Sequence, residues 1–225
     1  MSPLTPSVAA SDSTSSPCTR PLVVGLVGGV GSGKSTVARL LESRGACILD
    51  ADALARQCFD EPGVVEAVKT RFGIQVIDED GALDRAAIGR EVFGPDGDAA
   101  RAWLEQLIHP QVRLRLRERL DAVAQEPALA QPRCVVMDVP LLLEGPTGEW
   151  CDRVVFIETL PETRRRRTVS DRGWEPGEVA RREGAQMDLD RKRARADHVL
   201  SNDGTLADLE ITVDRLWTEL LDLAQ

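Results

Sequence analysis

Apolar residues first gather at Leu22–Val27, "LVVGLV", between Pro21 and a glycine-rich stretch. A short, unbroken apolar run of this kind fits a strand buried on both faces. From Ser35 to Arg44 the pattern becomes helical: Val37, Leu40 and Leu41 share a face, and Gly45 supplies a stop. "ACIL" (Ala46–Leu49), "CVVMD" (Cys134–Asp138) and "RVVFIE" (Arg153–Glu158) predict three further strands, with "DHVLSN" (Asp197–Asn202) a weaker fifth. A last helix near Leu206–Leu223 carries Leu209, Val213, Leu216, Leu220 and Leu223 at helical spacing. Strands separated by helical stretches predict an α/β fold whose parallel sheet is covered by helices on both faces.

About eighty residues separate the second and third strands, far more than an ordinary crossover loop. Residues 53–133 therefore predict an inserted helical subdomain, its apolar faces drawn from Trp103, Leu107, Leu114 and Leu116–Leu120. The alternation in "RLRLRERL" (Arg113–Leu120) could suggest a strand, but the long helical flanks outweigh it. Pro110 is expected at an early helical position. Residues 1–20 are rich in Ser, Thr and Pro and lack periodicity, so a disordered N-terminal tail is expected there, with residues 21–225 as the folded domain. The tail has no basic-then-apolar pattern of a secretory signal and only one arginine, Arg20, where a transit peptide would carry several.

Composition narrows the function. Of 225 residues, 42% are hydrophobic and 29% charged, the balance of a globular domain. The formal net charge of -9 argues against a general nucleic-acid binder, and no apolar run approaches a membrane span. Five cysteines without a CxxC pair read as small buried hydrophobes in a reducing compartment, hence the cytoplasm. One segment departs from the acidic background. Arg164–Arg195 holds eleven basic residues against six acidic ones and opens with "RRRR" (Arg164–Arg167). A mobile lid over a nucleotide needs such charge, although most of these side chains are expected to be solvated.

The chemistry centres on Gly28–Ser35, "GGVGSGKS", which satisfies G-x-x-x-x-G-K-[ST] between a predicted strand and a predicted helix. Glycines let the backbone turn several N–H groups toward phosphate oxygens, and the following helix adds its positive end. Lys34, one of three lysines, can reach the β- and γ-phosphates where a planar guanidinium would fit badly. Ser35 offers a hydroxyl to Mg²⁺. The expected ligand is thus a magnesium-bound nucleoside triphosphate on Gly31, Ser32, Gly33, Lys34, Ser35 and Thr36. The single asparagine, Asn202, is not part of an N-K-x-D guanine reader, which leaves a small-molecule kinase or a nucleotide-dependent switch. Asp50 and Asp52 end the second strand, where ligands gather in open α/β sheets. If the strand breaks there, the two acids do different jobs, a proton acceptor or a helix cap being the alternatives. Asp138 ends the third strand, a Walker-B-like place for holding Mg²⁺ directly or through water.

Together these pieces resemble the dephospho-CoA kinase family. The resemblance is carried by "GLVGGVGSGKSTVARLLESRGACILDADALARQ" (Gly25–Gln57), Phe72–Gly73, "IHP" (Ile108–Pro110), "DVPLLLE" (Asp138–Glu144), "PETRRRR" (Pro161–Arg167), Gln186, Lys192 and "ADHVLSNDG" (Ala196–Gly204). It implies a P-loop NTPase fold like that of nucleoside monophosphate kinases: a five-stranded parallel sheet (core 21–52 and 134–225), a substrate-binding insertion at 53–133 and a lid near 161–192. It implies ATP and Mg²⁺, dephospho-CoA as acceptor, and a monomer or weak homo-oligomer without nucleic-acid or membrane partners. Asp52 would be the catalytic base, with Lys34 and Arg167 on the phosphates. His109, Pro140 and Leu141 would lie on the substrate side, His109 alternatively anchoring a helix start. Asn202 would lie near the adenine. Two places depart from the family pattern: Asp171 stands where the lid usually has an arginine, with Arg172 following, and "RREG" (Arg181–Gly184) is more polar than usual.

Overall fold

A computed structural model describes residues 20–94, 96–127, 129–172, 184 and 186–224. The chain runs β1 (Leu22–Gly28), α1 (Lys34–Glu42), β2 (Cys47–Asp50), α2 (Ala51–Cys58), α3 (Pro62–Phe72), α4 (Arg85–Phe93) and α5 (Asp98–Ala124). It continues with β3 (Cys134–Asp138), β4 (Arg153–Glu158), α6 (Pro161–Arg172), α7 (Leu189–Ala194), β5 (His198–Ser201) and α8 (Leu206–Leu223). The five strands form one parallel sheet in the order β2-β3-β1-β4-β5. The N-terminal stretch 1–19, where a tail is expected, lies outside the described residues, as do the side chains of Asp171 and Arg172 and most of "RREG".

Period-two alternation divides the apolar residues between two layers. Val23, Val27, Val135, Met137, Val154 and Phe156 face the helices of the long β2–β3 connection. Val24, Leu26, Val136, Val155, Ile157 and Leu200 face α1 and α8. The glycine in "LVVGLV" belongs to this packing, because a Cβ at Gly25 would overlap the Leu142 side chain. Since every strand is parallel, Gly28, Asp50, Asp138, Glu158 and Ser201 all end at one edge of the sheet, and Asp50 stands opposite Asp138 in register. No described helix is long and apolar enough to cross a membrane.

The sequence "RLRLRERL" is helical, inside α5. Pro110 corrects an expectation: it lies in the interior of this helix, not near its start. A proline there removes one backbone hydrogen bond and costs about 3 kcal/mol or more. The stripe of buried Ile108, Val112, Leu116, Leu120 and Val123 continues across the interruption. At about 1.5–3 kcal/mol for each buried side chain, that stripe outweighs the missing bond.

Two aspartates close the open ends of the ladder. Asp152 accepts from Val23 N–H at 2.9 Å and pairs with Arg20; Asp197 accepts from Val154 N–H at 2.7 Å. Burial alone would raise the Asp152 pKa, but Arg20 and the Val23 N–H outweigh it and hold the carboxyl below its usual range. A depressed carboxyl stabilises the fold above its unfolded pKa of about 3.8 and loses that contribution as pH falls through the lower folded value. Asp152→Asn should therefore cost about 1 kcal/mol at pH 7, with a gap to wild type that narrows below pH 3.8. Urea melts at pH 7 and pH 3 measure it; a gap that stays constant would show that ionisation is irrelevant there.

Candidate active site

The β1–α1 turn is built so that its backbone, not its side chains, faces the open edge of the sheet. Gly31 and Gly33 have φ of 76° and 93°, in the left-handed region that a side chain disfavours. A Cβ at Gly33 would also overlap the Asn202 amide. Gly33 is the N-cap of α1 and makes no side-chain cap bond. Its own carbonyl accepts from Thr36 and Val37 at 3.0 Å each, so the helix begins while its first amides stay available to an anion. Lys34 folds back over the turn, and its ammonium donates to the carbonyls of Gly28 and Gly29 at 3.0 and 3.2 Å.

The turn is held from behind. The Ser32 carbonyl accepts from Thr159 Oγ1 at 3.1 Å, just after β4, and from Asn202 Nδ2 at 2.7 Å, just after β5. Arg164, buried at 9% exposure on α6, donates to the Val30 carbonyl, and a Cβ at Gly29 would overlap its guanidinium. Thr168 lies one turn further on and is fully buried, its hydroxyl donating to the Arg164 carbonyl at 3.0 Å. Beside Gly33 a cleft of about 240 Å³ opens, lined by Thr36, Arg167, Asn202, Gly204 and Leu209. Arg167 brings a buried Nη1 that has no hydrogen-bond partner among the described residues.

Three carboxylates approach this turn. Strand β2 does break after Asp50, as its sequence implies, and the two acids of "DAD" separate. Asp50 caps α2, accepting from Ala53 N–H at 2.9 Å. Asp52 is exposed in the first turn of α2. Asp138 accepts a hydrogen bond from the Ser35 hydroxyl. Burial is the main force raising the Asp138 pKa; Asp50 and Asp52 add to it, while Lys34 and the Ser35 bond oppose it. A hydroxyl and a carboxylate side by side, next to a phosphate-sized cradle, are the hard oxygen donors that Mg²⁺ prefers. No cluster of three metal-ligating side chains occurs among the described residues.

On the acceptor side the structure gathers fewer of the expected residues. Pro140 and Leu141 are exposed in the loop directly after Asp138. His109 lies within α5, exposed and without a hydrogen bond or ion pair among the described residues. It cannot anchor a helix start, because the helix begins at Asp98. Two features escape the sequence reading. Arg164 and Thr159 hold the turn. Lys192, at 2% exposure, donates to Glu144 and Gln186 at 3.0 Å each, and Glu144 also accepts from Met187 N–H. This knot joins the loop after β3 to the approach to α7. Thr168, four residues after Arg164 and so on its face of the helix, is the signal that could have picked out Arg164.

A carboxyl whose pKa is raised by folding is most favourable below its unfolded value, and its contribution declines as pH rises through the folded value. Asp138→Asn should therefore leave the ligand-free protein at least as heat-stable as wild type at pH 7. The advantage should disappear near pH 3.8, the ordinary carboxyl pKa. Melting temperatures at the two pH values decide it; a variant clearly less stable at pH 7 would contradict the electrostatic picture.

Comparison with known proteins agrees with this geometry. A family model described as dephospho-CoA kinase matches residues 22–208. A dephospho-CoA kinase from Thermobifida fusca is 40% identical over 201 residues, covering 88% of this chain and 96% of that protein. The crystal structure of TT1252 from Thermus thermophilus is 37% identical with a TM-score of 0.70, covering 89% of this chain and 98% of that one. A dephospho-CoA kinase from Campylobacter jejuni, 20% identical, shares the fold with a TM-score of 0.65, covering 89% of this chain and 98% of its own.

Proposed function

The chain belongs to the dephospho-CoA kinase family, and from that premise we infer how its residues divide the work of phosphorylating dephospho-CoA. The reaction transfers the γ-phosphoryl group of ATP to the ribose 3′-hydroxyl of dephospho-CoA, giving CoA and ADP, the last step of CoA synthesis. The observation that carries the division of labour is the convergence of Lys34, Ser35, Asp50, Asp52 and Asp138 at one edge of the sheet, where the charge of each is felt at Asp138 or its hydroxyl partner is bound there.

ATP lies with its phosphates against Gly31–Thr36 and its adenosine toward the cleft beside Gly33, with Asn202 at the purine end. Lys34 leaves the Gly28 and Gly29 carbonyls for the β- and γ-phosphate oxygens. Its ammonium is already inside the turn, so only a short side-chain movement is needed. Arg167 brings its unpartnered guanidinium nitrogen to the same phosphates. Ser35, with Asp138 directly or through water, would hold Mg²⁺, which would offset the charge on the β- and γ-phosphates.

Dephospho-CoA enters between the sheet edge and the helices of residues 53–133, against Pro140 and Leu141, with His109 further out on α5. Asp52 accepts the proton of the 3′-hydroxyl as the oxygen forms its bond to γ-phosphorus; the bond to the β–γ bridging oxygen breaks, and ADP leaves with that electron pair. Asp50 serves as the cap of α2. The lid expected near residues 161–192, of which 173–183 and 185 lie outside the described residues, would keep water from the transferring group, and Arg164 near its start donates to the Val30 carbonyl. The four described cysteines are free thiols, in keeping with the cytoplasm.

Three measurements test this assignment. ADP release should require dephospho-CoA and should not occur with AMP, nucleosides or no acceptor. Turnover on a nucleoside would mark a different small-molecule kinase, and acceptor-independent hydrolysis a nucleotide switch. Lys34→Ala should lower kcat/KM by about a hundredfold to a thousandfold, the size seen when a charge-stabilising donor is removed; near-normal turnover would remove the phosphate assignment. Asp52→Asn should depress kcat strongly while Mg·ATP affinity stays within about twofold. Unchanged kcat would return the proton to Asp50 or to solvent.

A further inference from the structure

The Ser32 carbonyl of the phosphate loop takes both of its donors from side chains outside the turn. It receives the Thr159 hydroxyl at 3.1 Å and the Asn202 amide at 2.7 Å. All three residues are buried, with exposures of 1% for Ser32, 9% for Thr159 and 5% for Asn202. The two donors arrive from the ends of β4 and β5, far away in the chain.

A trans peptide is planar, so its C=O and the following N–H point in opposite directions. Two donors that fix the Ser32 carbonyl toward the protein therefore fix the Gly33 N–H toward the open side. Gly33 has no side chain to hold its orientation, and its φ of 93° is one of many that glycine can reach. Bonds within the turn hold the Gly29 and Gly33 carbonyls, whereas the Ser32 carbonyl is held from the ends of β4 and β5.

We propose that Thr159, together with Asn202, is a positioning residue for nucleotide binding: by holding the Ser32 carbonyl it pre-aims the Gly33 amide at a phosphate oxygen of the triphosphate. This rests on the phosphate-loop reading above. It extends it to a residue outside the loop and gives Asn202 a second task besides its place at the purine end. Pre-aiming matters because an amide that must reorient on binding loses affinity to the entropy of ordering, while one already fixed does not. Thr159 acts on phosphate alone, so its effect should follow the phosphate chain and ignore the base.

The test is direct binding by calorimetry with three probes: Mg·ATP, magnesium tripolyphosphate and adenosine. Thr159→Val keeps the shape and removes the hydroxyl. It should weaken Mg·ATP and tripolyphosphate by the same factor, about three- to tenfold, the worth of one hydrogen bond. Adenosine affinity should not change. Thr159→Ser, which restores the donor, should recover wild-type affinity for both phosphate probes, and this variant carries the test if the valine protein proves poorly folded. Equal Mg·ATP affinity in wild type and Thr159→Val overturns the inference and leaves the kinase assignment standing. So does a loss that falls on adenosine as much as on tripolyphosphate, since that would mark general damage to the cleft. A wild-type protein that binds neither phosphate probe overturns the phosphate-loop reading itself.

Discussion

The constraint on which the rest depends is that a run of backbone N–H groups must stay turned away from the protein and unspent on internal hydrogen bonds. Buried amides normally find partners, and an α-helix leaves its first donors without one. Here the β1–α1 turn is kept open by using up its carbonyls instead. Lys34 takes those of Gly28 and Gly29, Arg164 that of Val30, and Thr159 with Asn202 that of Ser32. Because the two ends of a trans peptide point oppositely, the Val30 and Ser32 carbonyls, held from behind, turn the Gly31 and Gly33 amides toward the open side. The parallel sheet exists in this reading to bring those donors together, since β1, β4 and β5 end at the same edge.

The same edge concentrates negative charge. Asp50 and Asp138 stand opposite each other in register, and Asp52 follows in the first turn of α2. Burial is the larger cause of the raised Asp138 pKa, and the charges of Asp50 and Asp52 add to it. Lys34 relieves part of it and would be drawn away by phosphate. The arrangement gives up stability in the empty protein for complementarity to a triphosphate and its metal ion, a common feature of functional sites.

Much of this architecture is legible in the sequence, and the reasons differ from element to element. The strands read clearly because "CVVMD" and "RVVFIE" are buried on both faces, so Cys134–Met137 and Val154–Ile157 are unbroken apolar runs that end in an acid. The phosphate loop reads clearly because glycine, lysine and serine are each required at a fixed spacing by backbone chemistry. Pro110 misleads because its preference is local, whereas the buried stripe that carries α5 past it is a property of packing. The pair Asp50 and Asp52 stays ambiguous until the helix cap at Asp50 is seen. Thr159 and Arg164 lie more than 120 residues from the turn that they hold, and no spacing rule reports such a contact. Lys192 sits in a basic run that predicts solvation, yet it is buried against Glu144 because only the fold brings that carboxylate to it.

The most direct measurement of the central claim is a crystal structure with a non-hydrolysable Mg·ATP analogue and dephospho-CoA. The phosphate chain should lie on Gly31–Thr36 with the Lys34 ammonium moved from the Gly28 and Gly29 carbonyls onto phosphate oxygens. The backbone of the turn should shift by less than about 1 Å, as a pre-organised site requires, and the Asp52 carboxylate should accept from the ribose 3′-hydroxyl. A nucleotide bound elsewhere, a turn rebuilt around it, or Asp52 remote from that hydroxyl would contradict the account.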